Sequence, residues 1–119
     1  MIQISEPLIE SKAGITEVYN LLKDGERVGH IRVGYIQKDE VKSLRKYTKR
    51  NLTIGQPFGV QVFIDAVKSQ INKKNFGKEG LHQIVVTLKD RFKGLEERDI
   101  FILELNKQGK TIVGRGNEF

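Results

Sequence analysis

Apolar and polar residues alternate through much of the first third of the chain. From Thr16 to Lys23 and again from Glu26 to Ile36, β-branched and aromatic residues recur at alternate positions, with Ile31, Val33 and Tyr35 sharing one face. Asp24-Gly25 separates the two runs and suits the positive φ angles of a type I′ turn, so the pattern predicts a β-hairpin. Gly29 and Gly34 interrupt its second strand and mark a bulge or a strong bend. The pattern leaves open whether Met1 to Leu8 adds another strand.

The period then lengthens. Val41, Leu44 and Thr48 recur at three- and four-residue steps across residues 39–50, with Asp39 placed to cap a short helix. Pro57 to Asn75 predicts a longer helix: Val60, Phe63, Ile64, Val67 and Ile71 form its apolar stripe, Pro57 suits its first turn and Gly77 follows its end. His82 to Lys89 and Asp99 to Lys107 alternate like half-buried strands, with Ile84, Val86 and Leu88, then Phe101, Leu103 and Leu105, on single faces. Gln108-Gly109 and Thr111-Ile112-Val113 complete a final hairpin, and the glycine-rich residues 114–119 read as a flexible C-terminal tail. This order predicts an α+β fold: a single domain over residues 1–119, with a mainly antiparallel sheet and one or two helices packed on one face.

Composition narrows the class. A chain of 119 residues can enclose one core, and 38% hydrophobic residues supply it. No apolar run approaches the roughly 18 residues needed to cross a bilayer, and the N-terminus lacks the pattern of a signal peptide, so the expected location is cytoplasmic, with no membrane partner. The absence of cysteine excludes disulfides, thiol nucleophiles and thiolate zinc sites. The excess of 21 Lys and Arg over 15 Asp and Glu gives +6, which favours encounters with polyanions.

That charge is concentrated. Residues 38–50 hold six cations and two anions, a local +4. On a helix, Lys42, Arg45, Lys46 and Lys49 fall on adjacent turns of one side, Arg50 joins them from the end, and Tyr47 stands among them as a residue able to stack on an unpaired base. The same segment also reads as a solvated amphipathic helix. Lys73, Lys74 and Lys78 form a weaker cluster that equally suits a helix C-terminus.

His30 and His82 lie outside the close ligand spacings of metal and hydrolase motifs, and there is no phosphate-binding Gly-rich loop of the Walker or dinucleotide type. Asp90, Glu96, Glu97, Asp99 and Glu104 cluster in sequence but read more simply as a polar turn between strands. No catalytic residue and no metal ligand is assigned.

A second segment, Gly55-Gln56-Pro57-Phe58-Gly59-Val60-Gln61, precedes the predicted long helix. A glycine-bearing helix entry presents backbone N–H groups to an anion. Here the sequence resembles the GNAT acyltransferases, whose signature loop reads Gln/Arg-x-x-Gly-x-Gly/Ala and holds the pyrophosphate of acyl-coenzyme A. Gln56-Pro-Phe-Gly59 matches the first half, while Gln61 stands where the pattern has a small residue. The order hairpin, loop, helix, strand over roughly residues 16–89 is similar to a minimal member of that superfamily. The resemblance implies acyl-coenzyme A as cofactor, bound by Gln56, Phe58, Gly59, Val60 and Gln61.

Three readings follow. The first is a binding module, without catalysis, that contacts nucleic acid through Lys42, Arg45, Lys46, Tyr47, Lys49 and Arg50. The second is a small acyl-coenzyme-A-dependent acyltransferase. The third is a regulator or inhibitor of the kind encoded by viruses and mobile elements, binding a host protein. Strand edges at the ends of the sheet also make a homodimer a candidate assembly.

Overall fold

Asp24 and Gly25 both take positive φ, 51° and 85°, and turn Thr16–Lys23 (β2) into Glu26–Tyr35 (β3), the hairpin expected from the sequence. In this computed structural model, residues 1–9, 16–65 and 73–119 are described. Ile2–Ile9 (β1) pairs antiparallel with β2, so the N-terminal stretch is a strand. Both glycines of β3 sit where its ladders slip: one register shift comes at Gly29 against β2, another at Gly34 against the next strand.

That next strand corrects the sequence reading. Pro57–Asp65 (β4) is not the first half of a helix but pairs antiparallel with β3. The apolar set Val60, Phe63 and Ile64 fits a helix stripe, but Val60, Val62 and Ile64 also alternate, and Phe63 is buried on the opposite face. A strand covered on both faces shows no single period. Pro57 opens the strand, where its missing N–H does little harm. Val67 and Ile71 of the expected stripe lie outside the described residues.

The second correction concerns His82 to Lys89, expected as a strand. It lies within a helix, Lys73–Arg91 (α2), whose backbone breaks at Gly77 (φ 72°, ψ 170°). Leu81, Ile84, Val85 and Leu88 follow the helical period and are buried, whereas Val86, which alternation would have placed with Ile84 and Leu88, is 38% exposed. Val41–Thr48 (α1) lies within the predicted 39–50 helix, but its N-cap is Glu40, not Asp39, and no side-chain cap bond forms.

After α2 and a 3-10 turn at Glu97–Asp99 come Ile100–Asn106 (β5) and Gly109–Arg115 (β6), close to the expected final strands. The sheet order is β1-β2-β3-β4-β5-β6. Every pair is antiparallel except β4 with β5, so the sheet is mixed rather than antiparallel throughout. The molecule is a single compact α+β domain. α2 covers one sheet face, packing Leu81, Ile84, Val85 and Leu88, with Phe92 just past its end, onto Leu21, Ile31, Val33, Val60, Val62, Ile64, Ile100 and Ile102. Residues 114–119 finish β6 and form a 3-10 turn, with the main-chain oxygen of Phe119 2.8 Å from His82 Nδ1. No helix among the described residues is long and apolar enough to cross a membrane.

Candidate functional site

The basic segment divides into a solvated part and a structural part. Lys42, Lys46 and Lys49 are exposed, and Tyr47 is 91% exposed, bordering a hollow with Ser43 and Lys46. A tyrosine left this open contributes almost nothing to the core. Lys49 adopts the left-handed conformation (φ 54°) that ends α1. Arg45 is also exposed, but its Nη2 donates to the carbonyl of Leu52 at 2.9 Å, closing the chain over the helix end.

Arg50 belongs to the body of the protein. Its two terminal nitrogens donate to the two carboxylate oxygens of buried Asp99, both at 2.8 Å, and Nη2 also lies 2.7 Å from Glu96. The guanidinium stands over the Phe58 ring, 5.4 Å from its centre. The bidentate bond to Asp99 raises the pKa of Arg50 further, against the opposing effect of desolvation. The pair locks the segment after α1 onto the turn before β5.

Gln56 to Gln61 do not form a loop entering a helix. Gln56 accepts from the Thr53 N–H and donates to the Gly94 carbonyl, at 3.2 and 3.1 Å. Phe58 lies beneath Arg50, Val60 is fully buried beneath α2, and exposed Gln61 faces the other side of the sheet. Gly59, at φ 77°, falls where an irregularity separates the Val33–Val60 and Tyr35–Pro57 pairs. The glycine bends a strand.

The helix entry sits elsewhere. The bond from Gln56 to Gly94 joins the start of β4 to the loop after α2, so α2 runs back along the sheet and begins toward the opposite end, beyond the carboxyl ends of the two parallel strands. Gly80 there shares a groove with Met1, Ile2 and Lys23. On the other side, Lys78, Leu81, Glu118 and Phe119 line a cavity of about 390 Å³. Gly77 has open space where a Cβ would stand, and a helix that restarts after a residue at positive φ leaves the N–H groups of its first turn without helical partners. The apolar period 81, 84, 85, 88 was the sequence signal for this helix, hidden by an equally regular alternation.

The carboxylates grouped in sequence disperse in space. Asp99 is held by Arg50, Glu97 pairs with Lys89, and Glu96 is shared by Arg50 and Arg98. Among the described residues no three His, Asp or Glu side chains converge as metal ligands would. In comparisons with known proteins, no family model, no curated protein and no solved structure matches the chain.

Proposed function

We propose that this domain binds a phosphate-bearing acyl carrier of the acyl-coenzyme A type and serves acyl transfer. The observation that carries the reading is the β4–α2–β5 unit, the one parallel junction among the described strands, whose crossover helix is broken by glycine at the end where such units take ligands. The order read over residues 16–89 does not hold, because its helix is β4 and its strand lies in α2; the reading rests instead on the β2–β3 hairpin followed by β4, α2 and β5. The signature pattern is matched at fewer positions at the α2 entry than over Gln56–Gln61, but the α2 entry begins a helix whereas Gln56–Gln61 enters a strand. Over Lys74-Asn-Phe-Gly77-Lys-Glu79 the central glycine matches, a lysine stands for Gln/Arg, and Glu79 takes the last small position, followed by Gly80. Lys78, with the N–H groups around it, is the group we assign to the phosphates.

The test is thermal unfolding with acetyl-coenzyme A, coenzyme A and inorganic phosphate. A ligand that binds the native state alone raises its stability, by about 2.7 kcal/mol at a hundred times Kd. Acetyl-coenzyme A should raise the midpoint by several degrees, and Lys78→Glu should abolish most of the shift. No shift at saturating acetyl-coenzyme A removes the reading.

A second reading rests on Tyr47. A solvated aromatic flanked by Lys42, Lys46 and Lys49 suits single-stranded nucleic acid, whose backbone the cations follow while a base stacks on the ring. Arg50, engaged with Asp99, is withdrawn from that set. Anisotropy of labelled single strands should show salt-sensitive binding, weakened about tenfold by Tyr47→Ala, on the scale of 1–3 kcal/mol for one stacked base. Binding indifferent to salt or to Tyr47→Ala would exclude this surface.

A further inference from the structure

The sheet face turned away from α2 carries an ordered set of side chains that neither reading uses. Strand register arranges them in three rows running across the strands. The first is Val18, Arg32, Gln61, Phe101 and Arg115; the second Asn20, His30, Phe63, Leu103 and Ile112; the third Leu22, Arg27, Asp65, Leu105 and Lys110. The middle row has no formal charge when His30 is neutral, and burial, aided by Arg27, lowers the pKa of His30 and so favours that form. Its ring stacks on Phe63 at 4.7 Å. The outer rows hold the cations Arg32 and Arg115 on one side and Arg27 and Lys110 on the other, against one carboxylate, Asp65, which pairs with Arg27. Arg27, Arg32, Gln61, Lys110, Ile112 and Arg115 are exposed, Ile112 at 72%.

We infer that this face docks an acidic amphipathic helix of a partner protein, lying across the strands along the middle row. Size supports the assignment. Five strands about 4.8 Å apart span about 19 Å, the length of about 13 helical residues. Adjacent rows are separated by two residues of strand, about 6.7 Å, so a helix about 10 Å wide that rests its apolar stripe on Leu103 and Ile112 brings its flanks over the outer rows. Carboxylates on both flanks meet Arg32 and Arg115 on one side and Arg27 and Lys110 on the other.

Charge argues against a second copy, because two such faces would bring eight cations together against two carboxylates. Burial argues against nucleic acid: Phe63 is 2% exposed beneath His30 and Lys110, and the guanidinium of Arg115 stands 4.9 Å from the centre of the Phe101 ring. Those rings offer no free faces for bases. The Lys110 ammonium, 5.0 Å from the centre of the Phe63 ring, lies at the border of the middle row, where a carboxylate on the helix flank would reach it.

The probe is a fluorescein-labelled helical peptide of about 14 residues, with leucines along one face and glutamates on both flanks, compared with the same peptide carrying lysines. The full chain should bind the acidic peptide and not the basic one. Ile112→Asp and Arg32→Glu, both at exposed positions, should each weaken binding about tenfold, a loss of about 1.4 kcal/mol, without lowering the melting midpoint. Equal binding of both peptides, indifference to the two variants, or no binding of the acidic peptide overturns the inference. Sedimentation of the wild type as a dimer that Ile112→Asp dissociates would assign the face to a second copy. Oligothymidine binding abolished by Ile112→Asp would assign it to nucleic acid.

Discussion

Arg50 shows how one side chain changes meaning between chain and fold. In sequence it is the last cation of a basic run, while in space it is the partner of Asp99, whose side chain is only 6% exposed. Removing it strands a buried carboxylate, a change that costs about 3–5 kcal/mol in comparable sites. Urea unfolding of Arg50→Met should show a loss of that order, and adding Asp99→Leu should recover most of it, because the unpaired charge is then gone. A loss below about 1 kcal/mol for the single variant would mean that the pair contributes little. Gly29 is an equally local constraint: a Cβ there would stand 2.0 Å from the Phe63 carbonyl oxygen, so no other residue fits without moving β4.

At the scale of elements, legibility followed the clarity of the period. The β2–β3 hairpin, α1, β5 and the final hairpin were readable because each had one period and its own punctuation, Asp24-Gly25 and Gln108-Gly109 above all. β4 and α2 were exchanged, strand for helix and helix for strand. β4 is apolar on both faces, whereas α2 carries apolar residues at 84, 86 and 88 as well as at 81, 84, 85 and 88. Helix and strand give opposite forecasts for Val86. In the helix, Leu88→Ala costs about 2–5 kcal/mol and Val86→Ala less than about 1, whereas a strand would make the two losses comparable. Chemical unfolding of both variants decides between them. The misread elements also moved the proposed anion site, which was sought before β4 and is now proposed at the glycine-broken helix that begins at the far end of β4. Of the basic set, Lys42, Lys46, Tyr47 and Lys49 remain on the surface with Arg45 bonded to Leu52, and only the long-range pairing with Asp99, invisible in a linear pattern, removes Arg50.

For the molecule as a whole, the sheet separates two kinds of surface. One end of the parallel junction gathers the α2 entry, Lys78 and the adjoining cavity. The face away from α2 presents apolar residues between cations, and neither region draws on the other's side chains. Acetyl-coenzyme A and an acidic helix should therefore bind without competing. Strand order in space repeats strand order in the chain, and this has a consequence in time. β1 to β4 form by joining neighbours, through short closures from β1 to β3 and a longer one around α1 to β4, all shorter than the β4–β5 crossover. The β4–β5 pairing must wait for the whole intervening crossover to be placed. Folding should thus begin in the N-terminal meander and be limited by closure of the C-terminal third, leaving a nascent chain with an unpaired β4 edge until α2 and β5 have emerged.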